Sequence, residues 1–431
     1  MRLLFLPSDM GGGFGHVGRC LALADAARRR GHHGAFVLHH PKRRRAVERR
    51  FPVSFVPAHG RLTGLALRLR ALRRQGRKPL FTTFTGLDYQ APRDGLWSPT
   101  HVERRLDRYR RIVDRERPDL LVGDTNLVVR LLGAAAGLPV VQLVRFASHP
   151  DTARMIWWGD PPAGLEPPGT PALFGPTLQR LGLPEIRRAE ELLRGDLHLV
   201  PSLPVIEPVP PATDTAHVGA LADPGGLGEL PRELAGLPAD RPLVYATLGG
   251  GADMVGRAEP ARRLVEACAG RDLDLVLSTG GAVTTADFGP LPDNVHLVRW
   301  APGRTLVGLA RVVVFHGGYG TMMEVLSAGK PSLAIPFQSE QEGNARRLEQ
   351  LGCGLRLEPA AGASRLAETR WPLGRYSWHE QYECGVTAEQ IGEALHRLLN
   401  EETFARRAES LRDDLSRCPG PDGALDLIER L

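Results

Sequence analysis

Lysine is nearly absent from this chain of 431 residues. It occurs only at Lys42, Lys78 and Lys330, so arginine carries almost all of the positive charge. A net charge of +6 is one sign of a nucleic-acid-binding protein, but no recognition motif of that class accompanies it. A genome-level preference for arginine explains the usage as well, so we expect no nucleic-acid partner.

Cysteine and long apolar runs are also scarce. The five cysteines are odd in number and scattered, without a Cys-x-x-Cys pair, which argues against a disulfide framework and a structural zinc site. The longest weakly polar run, residues 131–144, contains Pro139 and Gln142 and is too short to span a bilayer. Residues 1–6 lack the layout of a signal peptide, so we expect a cytoplasmic protein.

The length suits two domains, because a single core of 431 residues would be unusually large. An apolar content of 42% and a charged content of 24% are typical of a globular protein. The strand predicted at residues 197–200 closes a first sheet, and the proline-dense segment 201–211 begins a linker region that we place at 206–240. A second αβ series starts at residue 243, where an apolar strand runs into Gly249, Gly250 and Gly251.

The N-terminus has the β-loop-α-β order of a Rossmann-type unit. A strand at residues 2–6, a glycine-rich loop and a helix at 17–30 are followed by a strand at 35–38. Gly13, Gly15 and Gly18 fit the dinucleotide pattern Gly-x-Gly-x-x-Gly. No acidic residue that could hold a ribose follows the second strand, which argues against NAD.

The most informative stretch begins at the apolar strand predicted for residues 312–315. It continues as His316-Gly317-Gly318-Tyr319-Gly320-Thr321 and then as a segment with helical spacing that contains Glu324. Glycines between a strand and a helix allow backbone N–H groups to close on an anion at the helix N-terminus. The pattern predicts a phosphate site of a type other than Walker A, because no Gly-Lys-Ser/Thr follows the glycines.

These residues, with those that follow, resemble a known family. His-Gly-Gly-x-Gly-Thr-x-x-Glu (316–324), Gly-x-Pro (329–331) and Pro-x-x-x-Glu-Gln-x-x-Asn-Ala (336–345) are similar to the donor-binding signature of nucleotide-sugar glycosyltransferases. The nearest resemblance is to bacterial natural-product and plant UDP-dependent enzymes of the GT-B fold. The resemblance implies an α/β chain with two Rossmann-like domains that face each other across a cleft. Residues 1–205 would bind the acceptor, residues 241–400 would bind the donor, and residues 401–431 would return toward the N-terminal domain.

The resemblance also implies roles for individual residues. His316, Thr321 and the N–H groups of 318–321 would bind the diphosphate, Glu324 the ribose, and Glu340 and Gln341 the sugar hydroxyls. Trp300-Ala301-Pro302 resembles the Trp-x-Pro-Gln that meets the nucleobase, although Gly303 stands where glutamine is usual. The donor-binding residues expected in this way are Gly15, Thr247, Gly249, Trp300, Ala301, His316, Gly318, Tyr319, Gly320, Thr321, Glu324, Glu340 and Gln341.

His16 and Asp124 are the expected catalytic pair. His16 follows the first glycine loop and resembles the Gly-His that opens the acceptor domain in this family, and Asp124 ends a predicted strand of the same sheet. His16 would take a proton from the acceptor while Asp124 orients its ring. The alternatives are a capping or packing histidine and an aspartate that merely caps its helix.

We therefore expect an inverting transferase that needs no metal and no cofactor besides its nucleotide-sugar substrate, with UDP favoured over dTDP. Asp272-Leu273-Asp274 is read as a turn before a strand rather than as a metal motif. The acceptor would be small and apolar or aromatic, and residues 81–99 predict a loop beside it.

Two alternatives remain open for the activity. A basic amphipathic helix at residues 62–72 would permit peripheral membrane contact through residues 61–78 and a lipid-linked acceptor. The opening Gly-His-Val-x-Arg-Cys-Leu-Ala-Leu-Ala also resembles nucleotide-sugar hydrolases. The role of the aromatic segment 360–385 is also left open. It is either a lid or surface for a partner, or an ordinary packed insertion.

Overall fold

Two parallel sheets flanked by helices make up the computed structural model of the chain, and this arrangement confirms the predicted α/β class with two Rossmann-like units. The structure describes all residues except 11–12, 58–78, 153–154, 157–158, 223–226, 235, 238–239, 250–257, 281–282 and 284. The predicted helix at 62–72, and with it the proposed membrane contact, lies outside the described residues. No helix in the described part is long and apolar enough to cross a membrane.

The N-terminal half contains eight strands and six helices in its described residues. The strands are β1 (Arg2–Pro7), β2 (His33–Leu38), β3 (Val53–Phe55), β4 (Phe81–Thr83), β5 (Leu120–Asp124), β6 (Val140–Leu143), β7 (Leu197–Val200) and β8 (Thr215–His217). The helices are α1 (Gly15–Arg29), α2 (Pro41–Val47), α3 (Gln90–Arg93), α4 (Pro99–Glu116), α5 (Val129–Ala136) and α6 (Thr170–Arg180). All strands but β4 form one parallel sheet in the order β3-β2-β1-β5-β6-β7-β8.

The C-terminal half builds a second parallel sheet in the order β11-β10-β9-β12-β13-β14. Its strands are β9 (Leu243–Thr247), β10 (Asp274–Ser278), β11 (Val295–Val298), β12 (Val312–Phe315), β13 (Ser332–Ala334) and β14 (Gly354–Arg356). Short strands β15 (Ala360–Ala361) and β18 (Glu383–Cys384) pair with each other, and β16 (Arg365–Trp371) pairs with β17 (Gly374–Gln381). The helices are α7 (Ala258–Cys268), α8 (Gly303–Leu309), α9 (Tyr319–Ser327), α10 (Ser339–Gln350), α11 (Ala388–Asn400), α12 (Glu402–Ser416) and α13 (Gly420–Ile428).

The central strands form because they are apolar on both faces. Every residue of β5 and of β12 is buried, as expected for parallel strands covered by helices on both sides. In each sheet the order of the strands reverses at one place. The first switch point lies between β1 and β5, and the second lies between β9 and β12 of the other sheet. Ligands of open α/β sheets bind at such switch points, beyond the carboxyl ends of the strands.

Two segments differ from the sequence-based expectation. The prediction that residues 197–200 close the first sheet is wrong, because β8, which lies in the segment assigned to the linker, pairs with β7. The segment 81–99 is not simply a loop, since it contains β4, a 3-10 turn at Leu87–Tyr89 and α3. Strands of three residues are too short to show an alternating pattern.

The aromatic segment 360–385 spans both halves of the molecule. β17 pairs with β4, so that one three-stranded sheet contains strands of both domains. Ser377 on β17 is buried, exchanges backbone and side-chain hydrogen bonds with Glu166, and accepts one from the Tyr89 hydroxyl. The segment is therefore a packed cross-domain hairpin.

The C-terminal helices cover both domains. α12 packs against α9 of the second domain, and α13 packs against α1 of the first. Leu425 and Ile428 of α13 are buried in the core cluster that contains α1, and Arg30 binds Asp426 at 2.7 Å on the surface of the same contact. The end of the chain thus returns to the N-terminal domain.

We predict that Leu425→Ala lowers the free energy of unfolding by roughly 2–5 kcal/mol, because it removes buried methyl groups and leaves a cavity. Leu431→Ala serves as the control, since Leu431 is 53% exposed and its loss should cost within about 0.5 kcal/mol. Urea unfolding of both variants measures the difference. Equal stability of the two variants would show that α13 does not help to hold the N-terminal domain.

Candidate active site

His16 and Asp124 lie on either side of the first switch point. His16 is in the first turn of α1, just after β1, and Asp124 is the last residue of β5. Their side chains meet, with Nδ1 of His16 2.7 Å from Oδ1 of Asp124. Nδ1 also lies 2.9 Å from Nη2 of Arg19, a group that can only donate. An ionised carboxylate only accepts, so in the neutral ring that donates to Asp124 the hydrogen is on Nδ1 and the lone pair is on Nε2. The His16 side chain is 36% exposed, so Nε2 is available to take a proton from a bound substrate.

Asp124 is completely buried and is held by further donors. Arg19, one turn after His16 on α1, donates from Nε and Nη2 to the two carboxylate oxygens at 2.9 Å each, and the Thr125 hydroxyl donates at 3.1 Å. Burial raises the pKa of Asp124, but the charges of Arg19 and His16 and their hydrogen bonds outweigh it and hold the pKa well below its usual range. The carboxylate is therefore ionised whenever the protein is folded near neutral pH.

The second switch point carries the glycine turn and His316. Gly317 has a φ of +76° and Gly249, after β9, has a φ of +85°, a backbone region that favours glycine. A Cβ on Gly318 would lie 2.2 Å from Nε2 of His316, and a Cβ on Gly249 would lie 3.0 Å from the same ring atom. The imidazole is thus seated between two glycine turns, which explains why side chains are missing there.

The two switch points face each other at their helix N-termini. A Cβ built on Gly320 in the first turn of α9 would lie 3.6 Å from Cα of Gly15 at the start of α1. We call the place where these two ends come close together, formed by Gly15, Arg19, Tyr319 and Gly320, the throat. The first N–H groups of a helix have no partner within the helix and carry partial positive charge. Two such ends at one place make the throat suitable for an anion.

Tyr319 packs its side chain against the N-terminal domain. Its hydroxyl donates to the Pro201 carbonyl at 2.9 Å. Arg145 and Arg19 of the N-terminal domain lie 3.8 Å and 5.4 Å from the centre of its ring. The backbone N–H of Tyr319 can therefore bind a nucleotide-sugar donor, while its ring packs against the N-terminal domain.

Glu340 and Gln341, expected to bind sugar hydroxyls, differ in orientation. Glu340 forms an ion pair with Arg145 of the other domain and accepts from Asn344 at 3.0 Å. Burial raises the pKa of Glu340. The charge of Arg145 and the hydrogen bonds from Arg145 and Asn344 lower it by more, so the pKa lies below its usual value. Gln341 is buried and accepts from the backbone N–H of Phe337, so its side-chain oxygen supports the turn before α10.

Thr247 and Glu324, two of the expected donor-binding residues, lie near the hydroxyl of Tyr245 on β9. Tyr245 lies among Ser278, Thr247 and Glu324, and burial, followed by the charge of Glu324, raises the pKa of its hydroxyl to about 12. Trp300 is 71% exposed and the next residue, Ala301, is buried. An indole ring exposed to this degree is free to stack on a planar group.

Arg19 and Arg145 are site residues that sequence reasoning missed. Arg19 stands three residues after His16, which places both on the same face of α1, so helical spacing could have found it. Arg145 follows the carboxyl end of β6 and no pattern singles it out. Asp274 lies outside the site: it is buried and binds Arg241 at 2.9 Å, in keeping with a structural part for the Asp272–Asp274 segment.

A family comparison matches part of the second domain. Residues 262–371 match the family model described as the erythromycin biosynthesis protein CIII-like, C-terminal domain. This match covers β12, His316 and the glycine turn that follows it.

Curated proteins similar to the chain are glycosyltransferases. The chain is 30% identical over 193 residues to demethyllactenocin mycarosyltransferase of Streptomyces fradiae. The aligned residues are 44% of this chain and 36% of that protein. It is 27% identical over 324 residues to the elloramycin glycosyltransferase ElmGT of Streptomyces olivaceus, 74% of this chain and 70% of that protein. The match to the mycarosyltransferase thus spans about a third of that relative's own length.

Solved structures show the same architecture over the whole chain. The calicheamicin glycosyltransferase CalG4 superposes with a TM-score of 0.70 at 23% identity and covers 100% of this chain and 97% of its own. The spinosyn rhamnosyltransferase SpnG gives 0.69 at 20% identity and covers 100% of both chains. The chain therefore has the GT-B fold, as predicted. Part of its second domain is similar to the EryCIII-like C-terminal domain, and the solved structures that share its fold include natural-product glycosyltransferases.

We predict that Asp124→Asn lowers the free energy of unfolding by roughly 3–5 kcal/mol at pH 7, because it leaves Arg19 buried without its counter-charge. The pKa of Asp124 is lowered in the folded state, so its stabilising contribution is complete above the unfolded pKa of about 3.9 and is lost as the pH falls below it. Urea unfolding between pH 3 and pH 7 should show the gap between wild type and variant beginning to narrow at the acid end. A constant gap, or a gap equal to that of the exposed-site control Asp107→Asn, would contradict the assignment.

Proposed function

We propose that this protein is an inverting glycosyltransferase that needs no metal ion. It moves a sugar from a nucleoside-diphosphate sugar to a hydroxyl or amine of a small apolar or aromatic acceptor. One observation carries the proposal: Gly15, the neighbour of the His16–Asp124 pair in the first domain, meets Gly320 at the end of the glycine turn of the second. A proton acceptor and an anion site thus face each other from two nucleotide-fold domains.

His16 acts as the general base. The acceptor hydroxyl gives its proton to Nε2 of His16, and its oxygen forms the bond to the anomeric carbon of the sugar. Asp124 keeps the hydrogen on Nδ1 and stabilises the imidazolium that forms.

The second domain stabilises the leaving group. As the bond from the anomeric carbon to the diphosphate oxygen breaks, its electron pair stays with the diphosphate. In this proposal, His316, the Thr321 hydroxyl and the N–H groups at the start of α9 stabilise that charge. These fixed donors and positive charges would do the work that a divalent cation does in other transferases.

The identity of the nucleotide is the finer part of the proposal. Glu324, in the second turn of α9, is suited to the two hydroxyls of a ribose, which favours UDP. Two structures with the same fold are described as complexes, SpnG with thymidine diphosphate and VinC with dTDP, which favours dTDP. Both nucleotides therefore belong in the first binding experiment.

An aromatic row supports a planar acceptor. The rings of Phe84, Tyr89, Tyr376 and Trp378 follow one another with centroid distances of 5.7, 6.1 and 5.7 Å, and all four are half-buried. The row begins at Phe84, whose N–H donates to Ser339, next to Glu340. SpnG is described in complex with the spinosyn aglycone, so a neighbour of the same fold takes a small-molecule acceptor.

We predict that His16→Ala lowers kcat roughly 100- to 10,000-fold, the usual contribution of a general base, and leaves the dissociation constant of the donor nearly unchanged. A calorimetric screen of UDP- and dTDP-sugars first selects the donor, and product formation then gives kcat. His101→Ala, at an exposed position on α4, is the matched control. Undiminished transfer by His16→Ala would show that His16 is not the base.

We also predict that the product has the opposite anomeric configuration to the donor, because a single displacement with one base inverts the carbon attacked. Proton NMR of the isolated product reads the configuration from the anomeric coupling constant. Retention would contradict the single-displacement mechanism. Donor cleavage without an acceptor, at a rate equal to that of transfer, would instead identify a nucleotide-sugar hydrolase.

A further inference from the structure

Arg19 has a place in the site that the resemblance to glycosyltransferases does not assign. It is on α1, one turn after His16, and is 7% exposed. A buried arginine requires strong compensation, since an isolated charge is costly to remove from water. The way in which its three nitrogens are used therefore indicates its role.

Two of the three nitrogens are committed to Asp124. Nε and Nη2 donate to the two carboxylate oxygens at 2.9 Å each. This edge-on pair fixes the plane of the guanidinium, because the two parallel hydrogen bonds leave little rotational freedom. The third nitrogen, Nη1, must then point away from Asp124.

Nη1 lies at the throat. A Cβ built on Gly15 would be 3.8 Å from Nη1, and Gly15 is the residue that Gly320 approaches from the other domain. The guanidinium carbon is 5.4 Å from the centre of the Tyr319 ring, in the same first turn of α9. Among the described residues, Nη1 has no hydrogen-bond partner. Its N–H groups are therefore available to an acceptor where the two helix N-termini meet.

The balance of charges around Arg19 is compatible with the binding of an additional anion. Arg145 is the second buried cation beside Tyr319, and Glu207 and Glu340 compensate it. Asp124 compensates Arg19. A diphosphate at the throat would bring negative charge to the side of Arg19 that Asp124 does not contact, and to the two helix N-termini.

We propose that Arg19 is a further catalytic residue, whose Nε and Nη2 hold Asp124 and whose Nη1 donates to the departing diphosphate. This inference rests on the proposed function. When the bond from the anomeric carbon to the diphosphate oxygen breaks, the electron pair remains on that oxygen, and Nη1 donates a hydrogen bond to the diphosphate without losing its proton. One side chain thereby couples the proton acceptor of the first domain to the leaving group bound by the second.

The test is the affinity of the whole protein for UDP and dTDP, compared with uridine and thymidine, by isothermal titration calorimetry. Arg19→Gln removes the charge, and Arg19→Lys keeps it but loses the edge-on pair. Arg19→Gln combined with Asp124→Asn leaves neither member of the pair as a lone buried charge, so it retains the test if the single variant unfolds. Arg28→Gln removes an arginine from the exposed side of the same helix and is the matched control.

We expect Arg19→Gln and the double variant to bind the nucleoside diphosphate roughly 10- to 100-fold more weakly, as for the loss of a hydrogen bond to a charged group. Their affinity for the nucleoside should not change. Arg19→Lys should recover part of the loss, and Arg28→Gln should bind the diphosphate like the wild type. In turnover, the loss of one such donor should lower kcat roughly 100- to 1,000-fold.

Unchanged diphosphate affinity in Arg19→Gln or in the double variant would overturn the inference, since an arginine that acted through Asp124 alone would affect the rate without affecting this affinity. An equal loss of affinity for nucleoside and diphosphate would overturn it as well, because it would reflect general damage to the domain. A wild-type protein that binds neither UDP nor dTDP would be a different outcome, and would overturn the proposed function itself.

Discussion

Asp124 is a carboxylate buried at the end of a central strand, and its need for compensating charge organises the site. Arg19 and His16 supply that compensation from one face of α1, with three contacts of 2.7–2.9 Å. Because both residues belong to one helix, their contacts with Asp124 fix the rotation of α1 about its axis. The same rotation brings Gly15 against Gly320 of the other domain, so the geometry of the throat follows from one buried ion pair.

The two sheets present the same feature to each other. Each reverses its winding next to its first strand, β1 or β9, and each places its chemistry in the loops beyond that point. Contacts between the domains hold these ends face to face. They include the ion pair of Arg145 with Glu340, the pairing of β4 with β17, and the packing of α13 on α1. A site divided in this way is complete only when both domains are in place.

Several residues of the glycosyltransferase-like signature serve the architecture as well as the proposed ligand. The glycines 249, 317 and 318 leave space for His316 or for positive φ angles. Tyr319 uses its ring between two arginines, and Gln341 uses its side chain to support the turn at Phe337. A motif records which residue types are needed at a site, but the direction of each side chain depends on the neighbours that it meets in the fold.

The sequence by itself determined the α/β class, the GT-B resemblance, the apolar central strands and the two histidines beyond their ends, because these depend on short-range patterns and on a contiguous motif. His16 and Asp124 could be paired in advance because the carboxyl ends of parallel strands share one edge of a sheet. Only the tertiary structure decided the parts of Arg19 and Arg145, the β8 edge and the cross-domain hairpin of β4 and β17. Each of these depends on partners distant in sequence, and contacts of that range leave no periodic signal in the chain.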